Sequence, residues 1–402
     1  MNSRERFLAV MNFEPADRTL KWEFGYWGGA LRRWYAEGLP RRTGIPDDWE
    51  YGRSVSGEAA AWAPGFDSTR DDDVHTLLGL DTGLQRVPIR NLFCPVFPEE
   101  IVEEHDDWMV RRDEDGVLRR EPKDRSSLPQ FVGWPVHNRD DWERLKAERL
   151  QPRLADRWVV DSSPWLEQAR QRDYPLAIGG GQGFFGTPRA LLGLENLLLA
   201  YYDDPQFLLD INNDLANFFI ALYDQVLALI DVDLALIWED MCYKAGPLIS
   251  PALFRTFLLP YYQRLTAFFR DHGVKVILVD TDGNCSALLP LFIEGGVTGL
   301  YPFEVNAGMN VVAVRRAFPR LQILGGIDKM QLAAGREAID AELAARVPAL
   351  LRSGGYIPYV DHLVPPDVSW DNFRYYRQRL NEMIEPKNCD AHRKVRRTYH
   401  KE

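Results

Sequence analysis

From residue 175 onward the chain repeats one pattern of hydrophobic and polar positions. Short apolar segments alternate with longer segments in which apolar residues recur every three or four positions. The short segments predict buried strands and the longer ones amphipathic helices, and a series of such units is typical of a parallel sheet. The predicted strands are 175–180, 234–239, 275–280, 299–303, 322–326 and 356–360.

The first third of the chain supplies two further predicted strands, at 20–24 and 83–88. The count then reaches eight, which favours an α/β fold of the (β/α)8 (TIM) barrel type over an open sheet. Residues 98–136 break the pattern, because alternating segments flank an Asp-Gly pair, which is a hairpin signal. We therefore expect a single barrel domain over 1–385 with an antiparallel β-hairpin insertion at 98–136. A basic, polar tail follows at 386–402.

Composition narrows the classes of function. The chain of 402 residues has a formal net charge of −11, which disfavours binding to nucleic-acid phosphates or to anionic membranes. It has no apolar segment approaching the ~20 residues that span a bilayer, and no apolar signal core near its start. The four cysteines are too far apart in sequence to indicate a disulfide framework. We expect a cytoplasmic protein that acts on a small molecule.

Carboxylates follow five of the predicted strands, at the end of a barrel where active sites lie. The pair Asp280 and Asp282 is the most informative, because alternate residues of a strand face the same side and two like charges need compensation. Three explanations remain open: a metal bound by Asp280, Asp282 and His362; a basic partner such as Lys329, Lys244 or Arg189; or one protonated carboxyl acting as a general acid. Helix capping is the structural alternative.

Further candidates lie at the same end. Adjacent strand residues point to opposite faces, so only one of Glu239 and Asp240 can face the mouth, and we expect Glu239 to do so. Glu239, Asp282 and His362 are the candidate catalytic residues. Negative potential at the mouth, which favours a neutral or singly charged ligand or a cation, is expected from Glu23, Glu239, Asp280, Asp282, Glu304 and Asp361. The candidate substrate contacts are Trp22, Tyr26, Trp27, Phe184, Phe185, Arg189, Trp238, Tyr243 and Glu304.

The segment 181–186 matches the G-x-G-x-x-G pattern of dinucleotide-binding folds, follows a predicted strand and precedes a helix. In those folds an acidic residue about 20 positions further on ends a second strand. Here that position, Asp203, lies in a predicted helical region. We therefore expect the glycines to turn the main chain over the barrel mouth, with Phe184 and Phe185 covering the substrate.

Several motifs together resemble one known family. They are the opening segment 3–10, Gly186-Thr187-Pro188, Asp282-Gly283-Asn284, Gly325-Gly326-Ile327-Asp328 and Pro366-Asp367-Val368-Ser369-Trp370. In these motifs the chain resembles a divergent member of the uroporphyrinogen decarboxylase superfamily, which also contains cobalamin- and coenzyme M-dependent methyltransferases. The resemblance implies a (β/α)8 barrel and an enzyme that is either methyltransferase-like or a carboxy-lyase.

Two departures from the family pattern change what the resemblance implies. The decarboxylases hold the carboxylates of their substrate with an arginine-containing loop after the first strand, and 22–29 has no arginine. The zinc-dependent methyltransferases have His-x-Cys after the fifth strand and Cys after the eighth, where this chain has Asp280-x-Asp282 and His362. Two carboxylates and an imidazole suit Zn, Mn or Fe(II) acting as a Lewis acid on an oxygen-bearing substrate.

The resemblance thus implies metal-assisted methyl transfer, or related chemistry, on a small organic substrate, with a corrinoid supplied by a partner protein. The alternative is cofactor-independent decarboxylation of uroporphyrinogen or a related pyrrolic acid, as in porphyrin biosynthesis, with Asp282 stabilising a protonated pyrrole. A non-catalytic binding protein is a third alternative, and the sequence leaves a homodimer open.

Overall fold

The computed structural model describes residues 1–42, 72–123 and 129–385. The strands in these ranges are, in chain order, β1 (Gln85–Arg86), β2 (Glu100–Glu104), β3 (Trp108–Arg112), β4 (Leu118–Pro122), β5 (Gln130–Gly133), β6 (Leu176–Gly179), β7 (Leu234–Trp238), β8 (Cys242–Tyr243), β9 (Gly246–Pro247), β10 (Val276–Asp280), β11 (Gly299–Tyr301), β12 (Gln322–Leu324) and β13 (Tyr356–Ile357).

The α-helices in the same ranges are α1 (Ser3–Met11), α2 (Gly28–Ala36), α3 (Asp72–Leu78), α4 (Arg139–Arg149), α5 (Ser162–Arg170), α6 (Gly186–Leu192), α7 (Leu194–Asp203), α8 (Pro205–Leu227), α9 (Pro251–Phe257), α10 (Leu259–Asp271), α11 (Leu289–Glu294), α12 (Val311–Ala317), α13 (Lys329–Ala334), α14 (Arg336–Ser353) and α15 (Trp370–Ile384). None of the helices in this part of the chain is both long and apolar enough to cross a bilayer.

A seven-stranded parallel sheet forms the centre of the fold. Its strand order is β1-β6-β7-β10-β11-β12-β13, and every neighbouring pair is parallel. Helices connect these strands, because a parallel neighbour is reached only by a crossover to the other end of the sheet. The predicted α/β class is therefore confirmed.

Side-chain caps set where several helices begin. Asp204, Ser250 and Ser369 each accept a hydrogen bond from a backbone amide in the first turn of α8, α9 and α15. Proline follows Asp204 and Ser250 directly, where the missing N–H of proline costs nothing. These caps fix where the chain turns back towards the next strand.

Alternation along the strands divides their apolar residues between two cores. Leu234, Leu236 and Leu278 belong to one core, which also contains segment 20–24. The intervening residues of β7 and β10 belong to the other core, which is built mainly with α8 and α10. Asp280 follows Leu278 by two positions and so lies on the side of the first core, at the carboxyl end of β10.

Residues 20–24 do not form a strand, which corrects the predicted first strand of the barrel. The apolar residues of the segment are buried in alternation, as the pattern predicts, but the main chain makes only scattered hydrogen bonds. The amide of Asp81 donates to the carbonyl of Lys21 at 3.0 Å, and the amide of Val364 donates to the carbonyl of Gly25 at 2.9 Å. Because Asp81 precedes β1 and Val364 follows β13, the segment lies between the two edges of the sheet. The described strands thus form a seven-stranded parallel sheet, and the complete eight-stranded barrel stays a prediction.

Strands β2 to β5 form a separate four-stranded antiparallel sheet, in the region where the sequence predicts an insertion. Cross-strand ion pairs stabilise it, including Arg111 with Glu121 at 3.0 Å. The assignment of 1–385 to one domain stays a prediction, and the tail 386–402 lies outside the described residues.

Candidate active site

Three carboxylates converge where β7 and β10 end. Asp280 is the last residue of β10, and Asp240 and Asp282 each lie two residues beyond the end of a strand. The two strands are neighbours in register, with Trp238 opposite Asp280, so both chains leave the sheet at the same level. One oxygen atom of each carboxylate lies within 4.8 Å of the others. We call these three residues the carboxylate cluster.

Asp240 carries the clearest electrostatic signature of the cluster. Burial and the neighbouring Asp282 carboxylate raise the pKa of Asp240 to about 6, and the Arg189 guanidinium opposes this rise. The backbone of Asp240 has φ of 42°, a left-handed conformation that costs a residue with a side chain roughly 1–3 kcal/mol. Arg189 donates to its carbonyl, and the amide of Met241 donates to the Thr281 hydroxyl at 3.2 Å. These contacts hold Asp240 in its strained position.

His362 lies beside the cluster. Its Nε2 atom is 3.5 Å from Oδ2 of Asp282, and its ring packs against Phe24 with the centroids 5.2 Å apart. Burial would lower the pKa of His362, but the Asp282 carboxylate outweighs this effect and raises that pKa above its ordinary value. Asp282 and His362 thus form a pair that can carry a proton at the mouth of the sheet.

Glu239 does not join the cluster, contrary to our expectation. It is fully buried, and its carboxylate accepts hydrogen bonds from the amides of Phe184 at 2.9 Å, Phe185 at 2.7 Å and Gly186 at 2.7 Å. The Tyr262 hydroxyl donates to it as well. Burial raises the pKa of Glu239, while these four donors favour its charged form. The carboxylate is therefore committed to holding loop 181–186 against the end of β7.

Close packing explains two glycines of this loop, Gly183 and Gly186. A Cβ atom on Gly183 would lie 2.2 Å from the carbonyl oxygen of Trp238, and one on Gly186 would lie 2.5 Å from the same atom. Phe184 and Phe185 are fully buried in the core, which corrects their expected place above the substrate. Their apolar rings fill the space behind the loop, on the side away from solvent.

Two more of the expected substrate contacts are core residues. Trp22 and Tyr26 are only 1% and 2% exposed. Trp22 stacks on Phe7 with centroids 5.7 Å apart, and Tyr26 packs edge-on against Trp34 at 5.0 Å. Trp27 is partly buried at the start of α2. For Trp22 and Tyr26, a position near a glycine-rich turn therefore does not indicate a substrate contact.

Trp238, Arg189 and Tyr243 remain near the cluster. Trp238 is partly exposed at the end of β7, and the Arg189 Cζ atom lies 5.6 Å from the centroid of its ring. Tyr243 lies in the β8–β9 hairpin and is 67% exposed. The first two side chains can line a site, whereas Tyr243 contacts mainly solvent.

The negative potential of the mouth is smaller than the sequence predicts. Glu23 is buried against Arg377, with Oε2 and Nη1 3.2 Å apart. Asp361 is buried with its oxygen 3.3 Å from Lys329 Nζ, and Lys329 also lies 3.8 Å from Glu304. Burial raises the pKa of Glu23, and Arg377 opposes that rise. Two of the expected acids are therefore balanced by internal cations, and Glu239 by amides.

Asp240 is the site residue that sequence reasoning missed. The strand was predicted to end at residue 239, but β7 ends at Trp238, and the chain then turns through a left-handed residue. Alternation no longer applies beyond that point, so it could not decide between Glu239 and Asp240. The sequence signal for this position was the apolar strand that ends just before Glu239 and Asp240.

Comparison with known proteins agrees with the motifs. No curated protein matches the chain. The family model described as uroporphyrinogen decarboxylase (URO-D) matches residues 123–383, which include β6 to β13 and every residue of the carboxylate cluster. The chain belongs to the uroporphyrinogen decarboxylase (URO-D) family.

Proposed function

We propose that this member of the family is an enzyme that binds a divalent cation at the carboxylate cluster and catalyses methyl transfer, or a related reaction, on a small organic substrate. The observation that supports this is the convergence of Asp240, Asp280 and Asp282 within 4.8 Å. Three like charges at this separation repel one another unless a proton or a cation lies between them.

The donor set fits a hard or borderline cation. Carboxylate oxygens suit Mn²⁺, Fe²⁺ or Zn²⁺, and the imidazole of His362 is an additional nitrogen donor beside Asp282. A cation bound there would supply Lewis-acid polarisation of a substrate oxygen. The thiol of Cys242 is not a good substitute ligand, because burial raises its pKa to about 12 and disfavours the thiolate.

The chain's own residues have separate tasks in this proposal. His362, paired with Asp282, holds a proton at its Nε2 atom while no cation is bound and releases that proton when Nε2 becomes a ligand. Asp361 and Glu304 hold Lys329 beside the site, and loop 181–186 closes one wall through its bonds to Glu239. A methyl group needs a carrier, and the resemblance to the superfamily makes a corrinoid on a partner protein the carrier we propose.

Decarboxylation without a cofactor is the second candidate. It is favoured by the pKa of Asp240 near 6, because such a carboxyl holds a proton close to neutral pH and can act as a general acid. In this alternative the cluster binds no metal, and Asp240 and Asp282 share protons with His362.

Metal titration separates the two candidates. We expect the purified protein, stripped with a chelator, to bind Mn²⁺ at the cluster, as measured by calorimetry and by the loss of the free-ion EPR signal. Asp240→Asn and Asp282→Asn should each weaken binding about 10-fold or more, as loss of a ligand does. The control is Asp224→Asn, which alters an exposed Asp–His pair with Asp224 Oδ1 and His272 Nε2 3.2 Å apart.

The pH dependence has a defined sign. Asp240 must lose its proton to bind a cation, so the Mn²⁺ affinity of the wild type should rise as the pH passes upward through about 6. Asp240→Asn should lose that rise. Activity assays with small methoxylated aromatics and with uroporphyrinogen complete the test. Turnover of uroporphyrinogen in the chelator-treated protein, with no Mn²⁺ binding, would establish the decarboxylase alternative.

A further inference from the structure

Arg189 is a cation at the mouth whose guanidinium makes one hydrogen bond within the part of the chain that the structure describes. We propose that it binds a carboxylate of the substrate, so that the substrate is a small monocarboxylic acid with a flat apolar body. This inference rests on the proposed function, because it concerns the substrate of the same site.

The position of Arg189 is fixed by two contacts. Its guanidinium lies over the ring of Trp238, with Cζ 5.6 Å from the ring centroid, and Nη1 donates to the carbonyl of Asp240. The side chain is partly buried and belongs to the last turn of α6. Stacking on one face and a hydrogen bond at one nitrogen leave the guanidinium edge oriented before any ligand binds, which reduces the entropy lost on binding.

The remaining donors of Arg189 have no partner in ranges 1–42, 72–123 and 129–385. A guanidinium has five N–H groups, and the bond to the Asp240 carbonyl is the one that its side chain makes in the described chain. No carboxylate in these ranges lies within ion-pair distance of it. By contrast, Lys329 lies 3.3 Å from Asp361, and Arg377 lies 3.2 Å from Glu23.

A carboxylate is the ligand that best matches these donors. The planar, forked edge of arginine accepts a carboxylate through two parallel hydrogen bonds, and partial burial strengthens such a pair relative to water. A ligand held there extends over Trp238, so a flat apolar body gains contact with the ring. The carboxylate end of the ligand then lies beside the carboxylate cluster, because Arg189 donates to the carbonyl of the cluster residue Asp240.

The charges at the mouth limit the ligand to one carboxylate. Among the described residues, Arg189 is the arginine that acts on the charge of Asp240, and Lys329 is already engaged by two acids. In the metal-free protein, a second carboxylate on the ligand would therefore be repelled by the acids of the cluster. The inference excludes a polyanionic porphyrinogen, which carries many carboxylates.

Benzoate and its uncharged isostere benzamide are the probes that test this inference. Binding is measured by tryptophan fluorescence and calorimetry in chelator-treated protein, so that no metal contributes. We expect benzoate to bind the wild type at least about 10-fold more tightly than benzamide, the order expected of a charged bidentate contact. Arg189→Gln should abolish this preference, and Arg189→Lys, which keeps the charge but not the fork, should retain only part of it.

The matched control is Arg320→Gln, which removes another ring-stacked arginine. Arg320 lies over Phe13, with Cζ 4.1 Å from the ring centroid, and it precedes β12 at the opposite end of the sheet. It should leave the benzoate preference unchanged. Equal binding of the two probes to the wild type, no binding of either, or a preference that survives in folded Arg189→Gln would overturn the inference.

Asp282→Asn distinguishes this inference from the proposed function. This variant should lose Mn²⁺ affinity and keep the preference for benzoate, because the groups that bind the carboxylate belong to Arg189 and not to Asp282. A benzoate preference that requires Arg189 in a protein that binds no Mn²⁺ would refute the metal proposal alone. Mn²⁺ binding that requires Asp282, without any benzoate preference, would refute the carboxylate subsite alone.

Discussion

The buried carboxylate of Glu239 allows a quantitative prediction for Glu239→Gln. In the wild type, four donors converge on its two oxygens: three backbone amides and the Tyr262 hydroxyl. A glutamine has one oxygen, so its amide nitrogen must replace an acceptor. The least costly orientation places the nitrogen at the Oε1 position, where the tyrosine hydroxyl can reverse and accept. The amide of Phe184 then loses its acceptor in the interior.

The magnitude follows from these changes. Leaving one buried amide without an acceptor costs about 1–3 kcal/mol, and the two amide bonds that remain weaken by about 1 kcal/mol each because their acceptor is neutral. Removing the buried charge offsets part of this destabilisation, because burial disfavours the charged carboxylate and raises the pKa of Glu239. We expect Glu239→Gln to lower the free energy of unfolding by about 2–4 kcal/mol.

Tyr262→Phe is the matched comparison. It removes one donor and leaves all three amides bonded, so it should cost about 1 kcal/mol. Equilibrium unfolding in urea, followed by tryptophan fluorescence and far-UV circular dichroism, measures both variants. A Glu239→Gln protein as stable as Tyr262→Phe would show that the loop amides do not depend on the charge, and the reasoning would fail.

Three further predictions concern other contacts. Arg377→Met should destabilise the fold by about 3–5 kcal/mol in urea unfolding, since it leaves the buried Glu23 charge without its counter-ion, and adding Glu23→Gln should recover part of the loss. Gly283→Ala should lower the thermal midpoint, because a Cβ there would lie 2.5 Å from a backbone carbon of the β8 strand and the residue has φ of 77°; a midpoint equal to wild type would contradict this contact. Because the pKa of His362 is raised, its pair with Asp282 should stabilise the fold fully below the ordinary histidine pKa and lose effect as the pH rises through the folded pKa. NMR titration of the imidazole should show that Asp282→Asn lowers this pKa, and an unchanged titration would refute the pairing.

Local patterns predicted most of the sheet, because period and burial are properties of neighbouring residues. The apolar segment before Asp280 has the alternation and length of a buried strand, and β10 occupies it. Segment 20–24 has the same alternation and lacks only the ladder hydrogen bonds. A ladder depends on the exact position of the neighbouring chains, and that is not a local property.

The site was harder to predict for a physical reason. The sequence shows that Phe184 is apolar, but apolar side chains are found both in the core and in substrate pockets. Residue type alone therefore could not decide between the two positions. Glu23 and Arg377 are 354 positions apart, so no spacing rule could reveal that one neutralises the other. Asp280 and Asp282 were identified because two acids close together after an apolar strand are unusual whatever the tertiary structure.

The bonds from Glu239 to loop 181–186 also bear on how nucleotide-binding motifs are interpreted. In dinucleotide-binding folds, the amides of a glycine-rich turn at the start of a helix receive the pyrophosphate. Here the amides of Phe184, Phe185 and Gly186, at the start of α6, are already occupied by an anion that the protein itself supplies. A phosphate would have to displace a buried carboxylate to reach them. In this chain, Glu239 at the end of the following strand thus makes the glycine motif a structural element that binds its own anion.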